Sequence, residues 1–311
     1  MENEKIVSEK TPLFKKGKFS VNFPKVISEF ENAMQKFPVK RILYQAAFRG
    51  KGLEFDSYRR FAPNDDAELI DWKASLRAND LLAKKYVEER NLNVYFLVDV
   101  SNSMLFGSGK KLKAEYAAEL VIALSHLVIN SGDRIGLVMF NDDVVKVLYP
   151  SNTKNQFALF TKFLSEPEFY GGGFELGTAI EHVLKTVKSS YTIFILVSDF
   201  IRTKKNTIQA LKMLGNRFET MAIMVRDPFD ESLPKTKYQF AIQDPYSKRQ
   251  MVLDPEIAAE RYHHEVLRHK AILKEVLRSA RIDLLELTTE SDFSIQVSSF
   301  LKSRAVGGER L

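Results

Sequence analysis

The stretch "FLVDVSNSM" (residues 96–104) ends an apolar run with one carboxylate and two hydroxyls. Asp99 closes the run, and Ser101 and Ser103 follow at alternate positions. A short, continuous apolar run predicts a strand that is buried on both faces. Oxygen side chains spaced in this way suit a hard divalent cation such as Mg²⁺. The alternative is that they cap the turn and the helix that follow the strand, since aspartate and serine do this well.

From residue 94 onward, strand-like apolar runs alternate with helix-like amphipathic segments. This alternation predicts an α/β fold with a mainly parallel sheet and helices on both of its faces. A second fully apolar run, "YTIFILVSDF" (191–200), also ends in an aspartate, Asp199. Ligands of such sheets bind beyond the carboxyl ends of the strands. We therefore expect Asp199 to join Asp99 at one site, directly or through water.

The chain divides by pattern into four parts. Residues 1–38 are expected to form a flexible lead and a short helix, which the apolar spacing places over residues 25–37. Residues 39–93 have short strand-like pieces and predict a compact β-rich subdomain. Residues 94–304 predict the sheet domain, and residues 305–311 a tail.

Composition narrows the classes of function. The 311 residues include no cysteine, which excludes disulfides and thiolate metal sites. No apolar run approaches the roughly 20 residues of a membrane helix, and the charged start has no signal-peptide core. The net charge of +6 is spread along the chain without the dense basic patch of a nucleic-acid-binding surface. These features predict a cytoplasmic protein with no membrane span and no nucleic-acid partner.

Two motifs in tandem carry a resemblance to a known family. "DVSNSM" (99–104) matches the D-x-S-x-S motif of von Willebrand factor A domains, and "SDF" (198–200) resembles their later aspartate motif. Upstream, "GKGLEFDSYRRFAPNDDAELIDWKASLRANDLLAKKYVEER" (50–90) resembles the signature of domain-of-unknown-function family 58, a branch with this type of domain. The resemblance covers about residues 40–304 and implies a von Willebrand factor A-like, Rossmann-like fold.

The resemblance also implies a site and a partner. In von Willebrand factor A domains the motif forms a metal-ion-dependent adhesion site, which would place metal ligands at Asp99, Ser101, Ser103 and Asp199. Members of family 58 are often encoded beside MoxR-type AAA+ ATPases, which implies a non-enzymatic adaptor or co-chaperone acting with such an ATPase or its client. The alternative is a metal-dependent hydrolase that uses the same site. It lacks an evident nucleophile or general base near the oxygens.

The chain departs from the adhesion-site pattern in the glycine-led loop "YGGGFELGTAI" (170–180). Phe174 stands where the pattern has a threonine ligand, and phenylalanine has no ligand atom. Either the site has lost one oxygen, or the loop shifts to bring in Thr178 or Glu175. The loss of an oxygen predicts weak or absent Mg²⁺ binding, because Mg²⁺ demands near-ideal octahedral geometry.

The upstream signature places arginines among several carboxylates. We expect an ion-pair network that holds an irregular segment together, with a partner-docking surface as the alternative. Trp72, the only tryptophan, is expected to pack this segment against the sheet domain. The residues assigned to this network or docking surface are Arg59, Asp65, Asp66, Asp71, Trp72 and Arg77.

Overall fold

The structure is a computed structural model that describes residues 19–34, 55–62, 67–86, 91–202 and 205–306. Its centre is a six-stranded sheet in the order β10-β7-β6-β3-β4-β5. The strands of this sheet are β3 (Asn93–Asp99), β4 (Arg134–Phe140), β5 (Val144–Ser151), β6 (Thr192–Ser198), β7 (Glu219–Arg226) and β10 (Asp283–Thr288). Neighbouring strands are parallel except for β5, which runs antiparallel to β4 at one edge. The predicted mainly parallel α/β sheet is confirmed.

Two short antiparallel pairs lie outside this sheet. Strand β1 (Phe55–Arg60) pairs with β2 (Leu82–Tyr86), and β8 (Phe240–Gln243) forms a hairpin with β9 (Gln250–Leu253). The sequence pattern did not predict the second pair, whose turn contacts Ser101.

Helices cover both faces of the sheet. The helices are α1 (Phe23–Met34), α2 (Trp72–Ala78), α3 (Lys113–Asn130), α4 (Lys154–Ser165), α5 (Leu176–Thr186), α6 (Lys205–Arg217), the one-turn α7 (Pro228–Glu231), α8 (Pro255–Ser279) and α9 (Phe293–Val306). One apolar core joins a sheet face to α1, α3, α4 and α9. The opposite face packs on α5, α6 and α8. None of the helices in the described ranges combines the length and hydropathy that a membrane span requires.

Strand β3 shows why the central runs are apolar throughout. Val94, Phe96 and Val98 enter the first core, and Tyr95 and Leu97 enter the second. Side chains alternate between the two faces of a strand, and here a helical layer covers each face. All five side chains are therefore buried.

The first helix belongs to the sheet domain. Phe30 and Met34 of α1 are buried in the first core, and the Phe30 ring meets Phe293 of α9 edge to face at 5.9 Å. The helix predicted over residues 25–37 is seen to Met34, and its last three residues lie outside the described ranges.

The described part of the segment 39–93 contains a helix as well as strands. Asp71 caps α2 by accepting hydrogen bonds from the backbone N–H groups of Lys73 and Ala74, at 3.1 and 3.0 Å. Trp72 occupies the first turn of this helix and is 63% exposed. The prediction that Trp72 packs the segment against the sheet domain is therefore wrong, because most of its side chain is exposed to solvent.

Among the described residues of this segment, two ion pairs bring in Asp80 and Lys84, which the sequence did not suggest. Arg60 pairs with Asp80 at 2.6 Å, and Lys84 lies 3.5 Å from Asp71. Arg59 is half-buried and donates to the Arg60 carbonyl, whereas Arg77 is exposed in the last turn of α2. The expected members Asp65 and Asp66 lie outside the described residues.

Candidate functional site

Asp99 is the last residue of β3, and Asp199 directly follows β6, the neighbouring parallel strand. The sheet therefore brings both aspartates to the same edge. Both side chains are buried, with 0% and 1% of their surface exposed. Ser198 Oγ donates a 2.6 Å hydrogen bond to Asp99 Oδ2 and ties the two strand ends together. The structure thus places the two aspartates together, as the strand pattern predicted.

The serines following Asp99 converge on the same place. The Ser101 backbone N–H donates to Asp99 Oδ1 at 2.9 Å, which folds the chain into a 3₁₀ turn over Asn102–Leu105. The Ser101 and Ser103 hydroxyl oxygens lie 3.2 Å apart and are buried. Asp99 therefore supports the turn, as the capping interpretation held, and the turn also gathers the oxygens in one cluster.

The turn after β6 holds Asp199 in a constrained position. Asp199 Oδ1 accepts from the Ile201 N–H at 3.1 Å, and the Phe200 N–H donates to Ser198 Oγ at 3.0 Å. Phe200 has a left-handed backbone with φ of 51°, which costs a residue of this type about 1–3 kcal/mol. Its ring is fully buried in the second core, and that burial offsets the strain.

Lys113, the first residue of α3, is a member of the cluster that the sequence reasoning missed. Its Nζ donates to Asp199 Oδ2 at 2.8 Å and to Asp230 Oδ2 at 2.7 Å, and only 1% of the side chain is exposed. In "KKLKAEYAA" (110–118) it is one of three similar lysines before a helix, and such a group usually predicts a solvated helix start. No local signal distinguishes it from its neighbours.

Burial and charge shift the three ionisable groups in different directions. Burial, together with the charge of Asp199, raises the pKa of Asp99 to about 7. Burial alone would raise the pKa of the Asp199 carboxyl, but the Lys113 ammonium has the larger effect and lowers it. Burial alone would lower the pKa of the Lys113 amine, but the charges of Asp199 and Asp230 have the larger effect and raise it. Asp199 and Lys113 thus form a charged pair. Asp99 is the group of the three whose pKa, about 7, lies at neutral pH.

The glycine-led loop packs on the serine turn without offering a ligand from Phe174. The Gly171 N–H donates to the Val100 carbonyl at 2.7 Å, and the Asn102 N–H donates to the Gly172 carbonyl at 3.1 Å. The Phe174 side chain is buried and meets the Phe140 ring with centroids 6.0 Å apart. The ring therefore serves the second core rather than the cluster of oxygens.

Glu175 and Thr178, the substitutes proposed from the sequence, lie at the start of α5. Glu175 precedes α5, and its backbone N–H donates to the Asn141 carbonyl at 2.7 Å. Thr178 lies in α5 and is half-buried; within the described ranges no hydrogen bond joins it to the serine turn.

The hairpin of β8 and β9 covers the cluster. Tyr246, in the turn of this hairpin, places its hydroxyl 3.2 Å from Ser101 Oγ. The Arg202 guanidinium stacks on the Tyr246 ring at 4.2 Å and pairs with Asp244 at 3.2 Å. The turn residues in "QDPYSK" (243–248), between two short runs, are the signal from which this hairpin could have been predicted. Their position over Ser101 has no sequence signal.

These residues fit a divalent metal poorly. Both oxygens of Asp99 accept hydrogen bonds, from Ser101 N–H and Ser198 Oγ, and Asp199 Oδ2 is bound by an ammonium. Mg²⁺ needs several free oxygens in near-octahedral geometry, and the loop supplies a buried phenyl ring instead of one of them. The described residues also contain no group of three or more His, Cys, Asp or Glu side chains that could hold a metal. Weak or absent Mg²⁺ binding stays a prediction.

Comparison with known proteins places the chain in a family. An uncharacterized protein of Mycobacterium bovis is 26% identical over 262 residues, which are 83% of this chain and 81% of the relative. An aerotolerance-related membrane protein from Bacteroides fragilis is 15% identical, covers 69% of this chain and 98% of its own, and has a TM-score of 0.47. A von Willebrand factor type A structure from Catenulispora acidiphila is 12% identical over 72% of this chain and 43% of its own, with a TM-score of 0.41.

The family model that matches is described as a protein of unknown function, DUF58, and it spans residues 57–272. This range contains most of the upstream β1–β2 pair, both aspartates and the hairpin that carries Tyr246. The chain belongs to the DUF58 family, as the upstream signature implied.

Proposed function

We propose that this protein is a non-enzymatic interaction adaptor or co-chaperone that binds a protein partner at the carboxyl edge of its sheet. The observation that supports this proposal is that the charged side chains at that edge already have partners within the chain. Asp99, Asp199 and Lys113 are buried and paired with one another or with neighbouring groups. A hydrolase needs a nucleophile or a general base that reaches its substrate, and these groups are committed to internal contacts.

The rim of this edge offers charges for a polar protein contact. Asp142 and Asp143, after β4, are exposed, and Asp142 accepts from the Gly173 N–H at 2.9 Å, beside the glycine-led loop. Across the cluster, Arg202 lies over Tyr246, and Lys248 and Arg249 are exposed in the hairpin turn. Complementary rim charges mainly set the association rate and the choice of partner.

The proposed partner is a MoxR-type AAA+ ATPase or a client of such an ATPase. Its support is the resemblance of the upstream segment to the family signature, together with the membership of the family. The proposal places the chain in the cytoplasm, with its lack of cysteine as support. The cluster itself would act as a rigid base that holds the rim loops in place.

The test is binding of the full chain to the MoxR-type ATPase of its own organism, measured by biolayer interferometry. Reversal of the rim charge in Asp142→Lys/Asp143→Lys should weaken binding by about tenfold or more. Glu181→Lys, an exposed acid on α5, is the matched control and should bind as the wild type does. Equal binding by the rim variant and the control would contradict the proposed surface.

An assay for metal-dependent hydrolysis decides between the proposal and its enzymatic alternative. Peptide and phosphoester substrates are incubated with the wild type and with Asp99→Asn in the presence of Mn²⁺. The proposal expects no turnover above background from either protein. If the wild type turns over a substrate and Asp99→Asn does not, the adaptor proposal is wrong and the protein is a hydrolase that uses this site.

A further inference from the structure

Lys113 is a lysine buried completely among carboxylates at the end of a sheet. Lysine is almost never fully buried unless it is paired, because desolvation of the ammonium costs several kcal/mol in free energy. Its two partners come from elements 86 and 117 residues further along the chain. Several elements of the fold therefore have to converge for this one ammonium to be accommodated.

The ammonium binds one of the four residues that the motif would use to hold a metal. Asp199 is one of the four expected metal ligands, and its Oδ2 accepts a hydrogen bond from Lys113 Nζ at 2.8 Å. A hydrogen bond from the Ser103 side chain also acts on Asp199, and Ser103 lies 3.2 Å from Ser101. The ammonium, the serine pair and Asp199 thus form one continuous polar cluster.

Asp230 is the second carboxylate that binds the ammonium. It lies in the one-turn helix α7, where its Oδ2 accepts from Lys113 at 2.7 Å and from the Asp227 N–H at 3.0 Å. Asp227 is itself held by the Ser108 hydroxyl at 2.6 Å, close in sequence to the start of α3. The chain therefore supplies a second carboxylate to the cation from one of its own helices.

We propose that the Lys113 ammonium is a built-in cation that replaces the divalent metal at this sheet edge, with Asp230 as its internal acidic ligand. In a metal-bridged contact, a carboxylate of another protein would complete the coordination of the ion. Here Asp230 occupies that role within the chain. A divalent ion at Asp199 would also face a full positive charge at close range, and their repulsion is strong where water is excluded.

If Lys113 forms only a structural salt bridge, its removal should have a different effect from the removal of a cation that replaces a metal. Loss of an ordinary buried pair destabilises the fold and leaves the affinity for metals unchanged. Loss of a built-in cation also frees the oxygens of Asp199 and Asp230 for a metal. The gain of a divalent site on removal of Lys113 is thus the distinguishing result, and it does not depend on the identity of any protein partner.

The experiment titrates Mn²⁺ into the full chain and follows the free ion by electron paramagnetic resonance. The wild type should show no one-to-one binding below about 1 mM, whereas Lys113→Met should bind one Mn²⁺ at least about tenfold more tightly. Lys113→Met/Phe174→Thr, which adds an oxygen in the glycine-led loop, should bind more tightly still. Lys110→Met, an exposed lysine of the same segment, is the matched control and should behave as the wild type does.

Thermal melts test the same proposal independently of metal titration. The Tm of the wild type should be the same in EDTA and in about 5 mM Mn²⁺, whereas that of Lys113→Met should rise with Mn²⁺ because a bound ligand stabilises the folded state. If Lys113→Met is unfolded without metal, Mn²⁺ should restore its fold. One-to-one Mn²⁺ binding by the wild type at sub-millimolar concentration would overturn the proposal. So would a Lys113→Met variant that gains neither Mn²⁺ binding nor Mn²⁺-dependent folding.

Discussion

Ser198 Oγ and Asp99 Oδ2 are 2.6 Å apart, although the two residues are separated by 99 positions in the sequence. Parallel pairing of β3 with β6 puts their strand ends side by side, and both residues are buried. The hydroxyl stabilises the carboxylate form of Asp99, but burial and the charge of Asp199 act more strongly in the other direction. Asp99 is therefore an acid whose protonation is coupled to folding.

The raised pKa of Asp99 predicts a pH-dependent stability. Its pKa is about 7 in the folded chain, against an ordinary value of 3.8. Its stabilising contribution is fully present below the ordinary pKa and is lost as the pH rises through about 7. Asp99→Asn lacks this titration, so its free energy of unfolding relative to wild type should improve by about 2–4 kcal/mol between pH 4 and pH 8. Urea unfolding at several pH values measures this difference, and parallel curves for the two proteins would contradict it.

Phe174 is expected to contribute to stability rather than to metal binding. Its ring packs against Phe140 in the second core, so Phe174→Thr should lower the free energy of unfolding by about 2–4 kcal/mol. Phe229→Thr, which alters a 40% exposed ring, is a control expected to cost much less. With Lys113 in place, threonine alone should not create a tight Mg²⁺ site. Calorimetric titration of Phe174→Thr checks this point, and tight Mg²⁺ binding by the single variant would contradict it.

Trp72 provides a fluorescence test of the N-terminal segment. The side chain is 63% exposed and is the only tryptophan, so all of the indole emission reports on this position. We expect emission typical of indole in water and efficient quenching by acrylamide. Trp72→Phe should change the free energy of unfolding by less than about 0.5 kcal/mol. Blue-shifted emission shielded from acrylamide would instead place the ring in an interface.

Asp71 is expected to act as a helix cap. Its carboxylate accepts from the N–H groups of Lys73 and Ala74, and the hydrogen bond from the backbone of Ala74 is the main cause of its lowered pKa. Asp71→Ala should therefore increase hydrogen exchange at these two amides and lower the Tm. Asp71→Asn keeps a capping oxygen and should retain most of the protection. Equal exchange in the two variants would show that the charge, rather than the cap, holds α2 in place.

The pattern of apolar and polar residues along the chain predicted the layers of the fold and the edge at which its polar groups meet. Apolar runs such as residues 94–98 predicted buried strands, and the pattern "KNTIQALKMLGNR" coincides with α6 (Lys205–Arg217). Asp99 and Asp199 could be placed together because parallel strands bring their carboxyl ends to one edge. These features depend on local periodicity and on a general rule of sheet topology, and both can be read along the chain.

The side chains that occupy that edge depend on how distant elements pack in three dimensions. Lys113 resembles Lys110 and Lys111 in sequence, yet it alone is enclosed by Asp199 and Asp230. Tyr246 reaches Ser101 from 145 residues away, and Trp72 faces solvent although its residue type favours burial. Each outcome depends on which elements pack against a side chain after folding. Periodicity reports the face of an element but not its neighbour, so the pairing of a buried charge follows from the packing of distant elements.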